Sequence, residues 1–290
     1  MTHSYAQAPI KTVSASNGIE YAFREVGEGG VPLVLLMHFR GNLDYWDPAL
    51  VDALARSRRV IAFDNTGVGG SSGTTPGTIA QMALDAISFT EALELARVDI
   101  LGFSLGSFVA QEIALIRPAL ARRVVLASAA PQGAPGMHGW TKGVIDAVGE
   151  PEVVPASVLD VFYTRSPESR SAGEKAMGRM FSRAELDAPT TWQTRQAQYD
   201  AVSAWGVPTF SLLERVTAIQ APVFVANGDS DPMILPRYSH LLAGLIPGAE
   251  IKIYPDAAHG FLFQHHEEFA HDVAEFLDRR HTTPTTTPIA

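Results

Sequence analysis

A serine lies between two glycines in the segment Ile100-Leu-Gly-Phe-Ser-Leu-Gly, which places Ser104 between Gly102 and Gly106. β-Forming residues precede this serine, and a helical pattern follows it. A serine at a sharp strand-to-helix turn projects its hydroxyl into open space, and flanking glycines relieve the crowding of backbone against backbone. The first N–H groups of the helix face the same space and favour negative charge there. We therefore predict a nucleophilic Ser104 rather than an ordinary turn serine.

A neutral serine hydroxyl is a weak nucleophile, so the chain must supply a base and an acid elsewhere. His259 lies in a loop after a strand-like segment, and Gly260 allows a tight backbone path there. Asp229 and Asp231 compete for the role of the acid. An imidazole titrates near neutrality and can take the serine proton. A carboxylate can hold the imidazole ring in the productive tautomer and stabilise the imidazolium that forms.

Short apolar segments alternate with helical patterns along the chain and would position these residues. Near-continuous apolar runs are typical of parallel strands that are covered on both faces. An opening antiparallel hairpin, Lys11–Ser14 with Glu20–Val26, adds two strands around Asn17-Gly18. We predict an α/β fold with a mostly parallel central sheet of about eight strands flanked by helices. The other predicted strands are Leu33–Met37, Val60–Phe63, Asp99–Gly102, Val124–Ala127, Val223–Ala226 and Glu250–Tyr254.

The alternation stops between residues 131 and 217, where glycine- and proline-rich loops and helical stretches carry many Met and aromatic residues. We predict that residues 131–217 form a helical cap, or lid, inserted into a core made of residues 1–130 and 218–280. Residues 281–290 are rich in threonine and proline, and we expect a disordered tail there.

Composition excludes several functional classes. The chain has 290 residues, of which 46% are hydrophobic, so it can bury a large core. Its net charge of −9 argues against nucleic acid or an anionic membrane as a partner, since both need basic patches. The absence of cysteine excludes disulfides, thiolate metal sites and cysteine nucleophiles. We expect a small-molecule substrate, no metal and no cofactor.

The first residues, Met-Thr-His-Ser-Tyr-Ala-Gln-Ala-Pro, lack the basic and apolar regions of a secretory signal. The longest apolar runs are too short to span a bilayer. We therefore expect a soluble cytoplasmic protein. The sequence leaves open whether it is a monomer or a homodimer.

Four motifs resemble those of the α/β-hydrolase superfamily, in particular its capped serine hydrolases: G-F-S-L-G, G-D-S-D-P, A-H-G-F and F-D-N-T-G-V-G-G-S-S. The resemblance extends from Val31 to Arg279. It implies the order nucleophile, acid, base along the chain. It also implies that the acid is the aspartate of G-x-x-D-P, which is Asp231, and that Asp229 forms a turn. His259 is then the base.

The resemblance departs from the family pattern after the third strand. The chain has Met37 in place of the usual histidine and His38 in place of the usual glycine. The resemblance implies an oxyanion hole formed by the backbone N–H groups of Leu105 and Phe39, which a change of side chain leaves intact. We expect His38 to pack or to bond a loop, and Arg40 to be solvated or salt-bridged.

We interpret the chain as a serine carboxylester hydrolase that forms an acyl-enzyme on Ser104 and acts on a largely apolar ester or lactone. An aspartate nucleophile, as in the haloalkane dehalogenases and epoxide hydrolases of this fold, is excluded by the serine. The residues that could contact substrate are His38, Arg40, Trp140, Met180 and Phe181.

Two alternatives stay open. Hydrolysis of a carbon–carbon bond could use the same triad, with Arg40, Arg179 or Arg183 anchoring a substrate carboxylate. A non-catalytic ligand receptor on this fold is the second alternative, although such proteins often lack a member of the triad.

Overall fold

The structure is a computed structural model, and it describes residues 4–137, 139–150 and 155–279. The predicted tail, 281–290, lies outside the described residues. One sheet of eight strands forms the centre, with helices on its faces, and this confirms the predicted fold class. The strands are β1 (Lys11–Ser14), β2 (Glu20–Val26), β3 (Leu33–Leu36), β4 (Val60–Phe63), β5 (Val98–Phe103), β6 (Ala121–Ala127), β7 (Val223–Gly228) and β8 (Glu250–Tyr254).

The strand order, β1-β2-β4-β3-β5-β6-β7-β8, brings the ends of β3 and β5 together. Strand β2 is antiparallel to β1 and β4, and the other pairs are parallel. The chain leaves β3 toward β4 and then returns to β5 on the opposite side of β3. Ligand sites of open α/β sheets lie at such a switch point, beyond the carboxyl ends of the strands. Leu36 pairs with Gly102, so the loops that carry His38 and Ser104 emerge side by side.

The helices are α1 (Pro48–Leu54), α2 (Ile79–Ala92), α3 (Leu105–Ile116), α4 (Lys142–Val144), α5 (Pro155–Phe162), α6 (Pro167–Met180), α7 (Trp192–Trp205), α8 (Phe210–Leu213), α9 (Pro236–Leu245), α10 (Phe261–Gln264) and α11 (His266–Asp278). A π-helical turn, Ile145–Gly149, continues α4. Helix α2 ends at Ala92, and Glu94, two residues later, has a left-handed φ of 56°. Within the described ranges, no helix is long and apolar enough to cross a membrane.

Helices α4–α8 all lie between β6 and β7, in residues 131–217, hereafter the insertion. The described residues of the insertion form no strand. Helix α7 packs on the sheet side through Trp205, whose ring stacks on Phe108 of α3 with centroids 5.1 Å apart. The Trp205 indole N–H donates to the Ala130 carbonyl at 3.1 Å. These contacts hold one end of the insertion against the core. Its role as a separate cap stays a prediction.

Candidate active site

The turn between β5 and α3 is strained at Ser104, which has φ 55° and ψ −119°. A left-handed conformation costs a residue with a Cβ about 1–3 kcal/mol, and such strain is typical of functional sites. The flanking glycines make the turn sterically possible. A Cβ at Gly102 would lie 2.3 Å from the Gly106 carbonyl oxygen, and one at Gly106 would lie 2.1 Å from that of Leu36. The Ser104 N–H donates to Ala127 of β6 at 2.9 Å.

His259 and Asp231 form a buried pair, with His259 Nδ1 2.8 Å from Asp231 Oδ2. The other carboxylate oxygen, Oδ1, accepts the backbone N–H groups of Met233 at 2.8 Å and Ile234 at 3.0 Å. An ionised carboxylate only accepts hydrogen bonds, so His259 Nδ1 donates to it, and in the neutral ring this leaves the lone pair on Nε2. This is the tautomer that a general base needs.

Asp229 is exposed and bonds a different part of the structure. Its carboxylate accepts the backbone N–H groups of Asp256 at 3.0 Å and Ala257 at 3.3 Å. These residues begin the loop that leads to His259. Asp229 therefore holds a distant loop as well as its own turn, while Asp231 touches the imidazole itself. The role of Asp231 as the catalytic acid stays a prediction.

The insertion also holds the loop of His259. The backbone N–H groups of His259 and Gly260 donate to carbonyls at the end of α5, those of Val161 at 3.3 Å and Phe162 at 2.8 Å. The imidazole lies between two aromatic rings, Phe103 at 5.1 Å and Phe162 at 5.2 Å between centroids. Phe103 immediately precedes the serine, so this packing brings the imidazole to the same end of the sheet as Ser104.

The two predicted oxyanion donors lie at the start of α3 and in the turn after β3. Leu105 is the first residue of α3, where helix geometry leaves the N–H without an acceptor inside the helix. Phe39 follows β3 and lines the same cavity as Ser104. Both groups are backbone N–H donors, the kind that an oxyanion hole uses. Their use in catalysis stays a prediction.

His38 is fully buried beside the site and is held in one tautomer. Its Nδ1 donates to the carbonyl oxygen of Phe39 at 2.8 Å. Burial, opposed by that hydrogen bond and assisted by the charge of His259, lowers the pKa of His38 to about 3. The His38 imidazole is consequently uncharged near pH 7. Three aromatic rings surround it at centroid distances of 5.2–5.6 Å: Tyr45, Phe103 and Phe162.

A cavity of about 410 Å³ opens over Ser104 and His259. Four of the predicted pocket residues line it: His38, Arg40, Met180 and Phe181. Trp140 does not, which corrects that prediction. Its ring packs behind Phe39 at 5.3 Å and against Tyr199 at 5.7 Å. The remaining lining residues are Phe39, Tyr45, Val148, Val158, Phe162, Tyr163, Met177, Pro189, Thr190, Met233 and Phe263.

Most of these lining residues were not predicted from the sequence, although the positions of some in the sequence indicated that they lie near the triad. Met233 follows the acid by two residues, and Phe263 follows the base by four, so both were bound to lie near the triad. Met177 lies one helical turn before Met180 and Phe181, on the same face of α6. Phe162 carried no local signal, because only the packing of α5 against the histidine loop brings it to the site.

Arg40 is the charged side chain in the cavity wall, and its guanidinium bonds the insertion. Its Nη1 donates to the carbonyls of Glu150 at 2.6 Å and Val148 at 3.2 Å. The sequence leads us to expect a solvated or salt-bridged Arg40; the structure adds these two bonds to backbone oxygens of the insertion. Across the described ranges, no cluster of three or more His, Asp or Glu side chains could hold a metal ion.

The glycine-rich loop after β4, which carries the motif F-D-N-T-G-V-G-G-S-S, bonds the segment that follows Phe39. Asp64 bridges two loops, because its carboxylate accepts the N–H groups of Leu43 at 2.9 Å and Gly70 at 3.0 Å. A Cβ at Gly69 would lie 2.2 Å from that carboxylate. Burial raises the pKa of Asp64 to about 7. The motif therefore has a structural role next to the loop of Phe39.

Comparison with known proteins identifies the fold family. A family model described as alpha/beta hydrolase fold matches residues 31–266. A solved alpha/beta hydrolase fold protein from Chitinophaga pinensis is 38% identical and superposes with a TM-score of 0.88, over 96% of this chain and 100% of that one.

Two curated relatives cover nearly the whole chain. A poly(3-hydroxyalkanoate) depolymerase from Ectopseudomonas oleovorans is 28% identical over 284 residues, which is 93% of each chain. A non-heme haloperoxidase from Rhodococcus erythropolis is 26% identical over 283 residues, 92% of this chain and 98% of the relative.

The two aspartates give a first test of the site. We expect Asp231→Asn to lower the rate of ester hydrolysis by roughly 10³–10⁴-fold, because the amide no longer fixes the His259 tautomer. Asp229→Asn is the matched control and should keep the rate within about tenfold, since the Asp229 carboxylate bonds Ser230 and the loop backbone, not the imidazole. Measured kcat for a p-nitrophenyl ester decides between them, and the reverse ranking would assign the acid to Asp229.

The buried His38 predicts a dependence of stability on pH. The unfolded imidazole titrates near 6.5 and the folded one at about 3, so between these values only the unfolded chain binds the proton. The free energy of unfolding therefore falls as the pH drops below about 6.5. As the pH drops from 6.5 to 5, the free energy of unfolding of the wild type should fall by about 2 kcal/mol relative to that of His38→Asn.

Urea denaturation of both proteins at several pH values measures this difference. A side-chain ¹⁵N NMR titration checks it independently and should show a neutral Nδ1–H ring from pH 5 to 8. A His38 signal that titrates near 6.5 would contradict the buried, neutral assignment.

Proposed function

The chain belongs to the alpha/beta hydrolase fold family, and from that premise we propose that it is a serine hydrolase that cleaves a carboxylic ester or lactone through an acyl-enzyme on Ser104. The observation that carries the proposal is the meeting of two features at one cavity. The strained Ser104 and the imidazole of the His259–Asp231 pair both line it. A hydroxyl beside an oriented base is the minimum arrangement for nucleophilic catalysis.

In the first half of the reaction, Ser104 Oγ attacks the substrate carbonyl carbon while His259 Nε2 takes the hydroxyl proton. The carbonyl oxygen becomes an oxyanion, which the N–H groups of Leu105 and Phe39 would stabilise. The tetrahedral intermediate collapses, and the alkoxide leaves with the proton from His259. Asp231 keeps the ring oriented and stabilises the imidazolium throughout.

In the second half, water replaces the alcohol. His259 removes a proton from the water as it attacks the acyl carbon of the Ser104 ester. The second tetrahedral intermediate then breaks its bond to Ser104 Oγ, which recovers the proton from His259. The products are the alcohol and the carboxylic acid, and a lactone gives both in one hydroxy acid.

The cavity favours an apolar substrate. Its wall contains three methionines and several aromatic rings. Besides Ser104 and His259, its residues with polar side chains are His38, Arg40, Tyr45, Tyr163 and Thr190. Methionine side chains adapt to varied apolar shapes. The relative named as a poly(3-hydroxyalkanoate) depolymerase acts on a polyester, which agrees with an ester as the substrate class. Perhydrolase or haloperoxidase activity would be a side reaction of the same triad.

The structure gives less support to hydrolysis of a carbon–carbon bond in a carboxylated substrate. The arginines that would anchor such a carboxylate are bonded elsewhere. Arg179 forms a bidentate pair with Asp47 at 2.8 and 2.6 Å. Arg183 donates to the carbonyls of Ala6 and Ala8 at 2.7 and 3.0 Å. Neither belongs to the cavity wall, and Arg40 bonds backbone oxygens of the insertion.

The decisive experiment combines labelling and kinetics. We expect a fluorophosphonate probe to label Ser104 and p-nitrophenyl butyrate to be hydrolysed. Ser104→Ala should abolish labelling and lower kcat by roughly 10⁴-fold or more. Ser230→Ala, which changes an exposed serine beside Asp229, is the control and should behave as wild type. A folded protein that takes no label and hydrolyses no ester would favour the receptor alternative. Faster cleavage of a carboxylated β-diketone than of esters would favour carbon–carbon hydrolysis.

A further inference from the structure

The loop that supplies the oxyanion donor of Phe39 contains a strained residue. Arg40, which follows Phe39, has a left-handed φ of 65° although it carries a long side chain. A residue with a Cβ keeps such a conformation only where surrounding contacts determine it. The contacts that hold Arg40 therefore also determine the path of the backbone at Phe39.

Those contacts come from the insertion, more than a hundred residues away in sequence. The Arg40 N–H donates to the side-chain oxygen of Gln198 on α7 at 2.7 Å. The Arg40 carbonyl accepts the hydroxyl of Thr190 at 2.5 Å. The Arg40 guanidinium donates to the backbone carbonyls of Glu150 and Val148. Backbone and side chain of one strained residue are thus both fixed by the insertion.

The peptide that joins Phe39 to Arg40 is held on both sides. Its carbonyl oxygen accepts from His38 Nδ1, and its N–H donates to Gln198 Oε1. His38 replaces the glycine of the family pattern, so the chain has a side chain to hold the carbonyl where the pattern has none. A peptide bonded at both its polar groups cannot rotate without breaking one of these bonds.

Gln198 is completely buried, and its retention there has a cost. Its amide nitrogen, Nε2, has no hydrogen-bond partner among the described residues. A buried donor without a partner is destabilising, so an amide side chain here is unfavourable unless its oxygen is needed. Among the residues that the structure describes, the oxygen accepts the Arg40 N–H.

We infer that Gln198 is a positioning residue for the proposed esterase reaction, through which the insertion orients the Phe39 N–H of the oxyanion hole. The inference rests on the proposed function. Gln198 is not part of the cavity wall and acts on the reaction only through the backbone of residues 39–40. Its loss should raise the energy of the oxyanion transition state and leave the binding of substrate unchanged.

The test compares Gln198→Met, which removes the acceptor at nearly constant size, with Gln198→Glu, which keeps it. Arg195 lies three residues before Gln198 on α7, a spacing at which helix side chains are neighbours, so a glutamate at position 198 has a positive charge nearby. We expect kcat for p-nitrophenyl butyrate to fall roughly 10- to 100-fold in Gln198→Met, less than the 10²–10³ of a deleted donor. KM should stay within about twofold, and Gln198→Glu should recover most of kcat.

Inhibition by an alkyl trifluoromethyl ketone, whose adduct with serine carries an oxyanion, provides a second readout. Its affinity should fall by the same factor as kcat in Gln198→Met, while the matching methyl ketone binds unchanged. Gln196→Met, an exposed position on the same helix, is the control for the substitution and should leave both values unchanged. If Gln198→Met does not fold, Gln198→Asn, which withdraws the oxygen by one methylene, should give the same loss.

The outcomes separate this inference from the proposed function. Hydrolysis that survives Ser104→Ala overturns both. Hydrolysis that depends on Ser104 but keeps wild-type kcat in Gln198→Met overturns only the role of Gln198. A rise in KM without a loss of kcat, or a Gln198→Glu variant as slow as Gln198→Met, overturns it as well.

Discussion

The left-handed backbone at Ser104 is the constraint on which the site depends. It turns the chain from β5 into α3 within one residue, at the wall of the cavity that also contains His259. Such a turn is sterically possible only because Gly102 and Gly106 leave room for backbone atoms 2.1–2.3 Å from where a Cβ would lie. The strain is maintained by the packing of buried β5 between β3 and β6.

Around this turn, the insertion bonds two loops that the proposed mechanism uses, the loop of His259 and the loop of Phe39. The carbonyls at the end of α5 accept N–H groups from the loop of His259. Gln198 of α7 and Thr190 hold the peptide groups of Arg40 beside Phe39. The same segment also supplies much of the cavity wall. A structural element that shapes the substrate pocket therefore also bonds the loops of the base and of the proposed oxyanion donor.

The sequence predicted the parts of the site that depend on local chemistry. G-x-S-x-G after a strand locates Ser104 at the switch point, and a histidine after the last strand must reach the same edge of the sheet. The cavity wall was less predictable. The packing of the insertion places Phe162 in the wall and Trp140 behind Phe39, and the insertion shares no sequence pattern with the core. The strain at Arg40 was also invisible, since left-handed backbone at a non-glycine residue has no compositional signal.

The most direct test of the account is an experimental structure of the protein after reaction with a fluorophosphonate or a trifluoromethyl ketone. We predict a covalent bond to Ser104 Oγ, with the oxyanion-like oxygen within about 3 Å of the N–H groups of Leu105 and Phe39. His259 Nε2 should face the bonded oxygen while Nδ1 still contacts Asp231. An adduct on another residue, or an oxygen that points away from both N–H groups, would contradict the account.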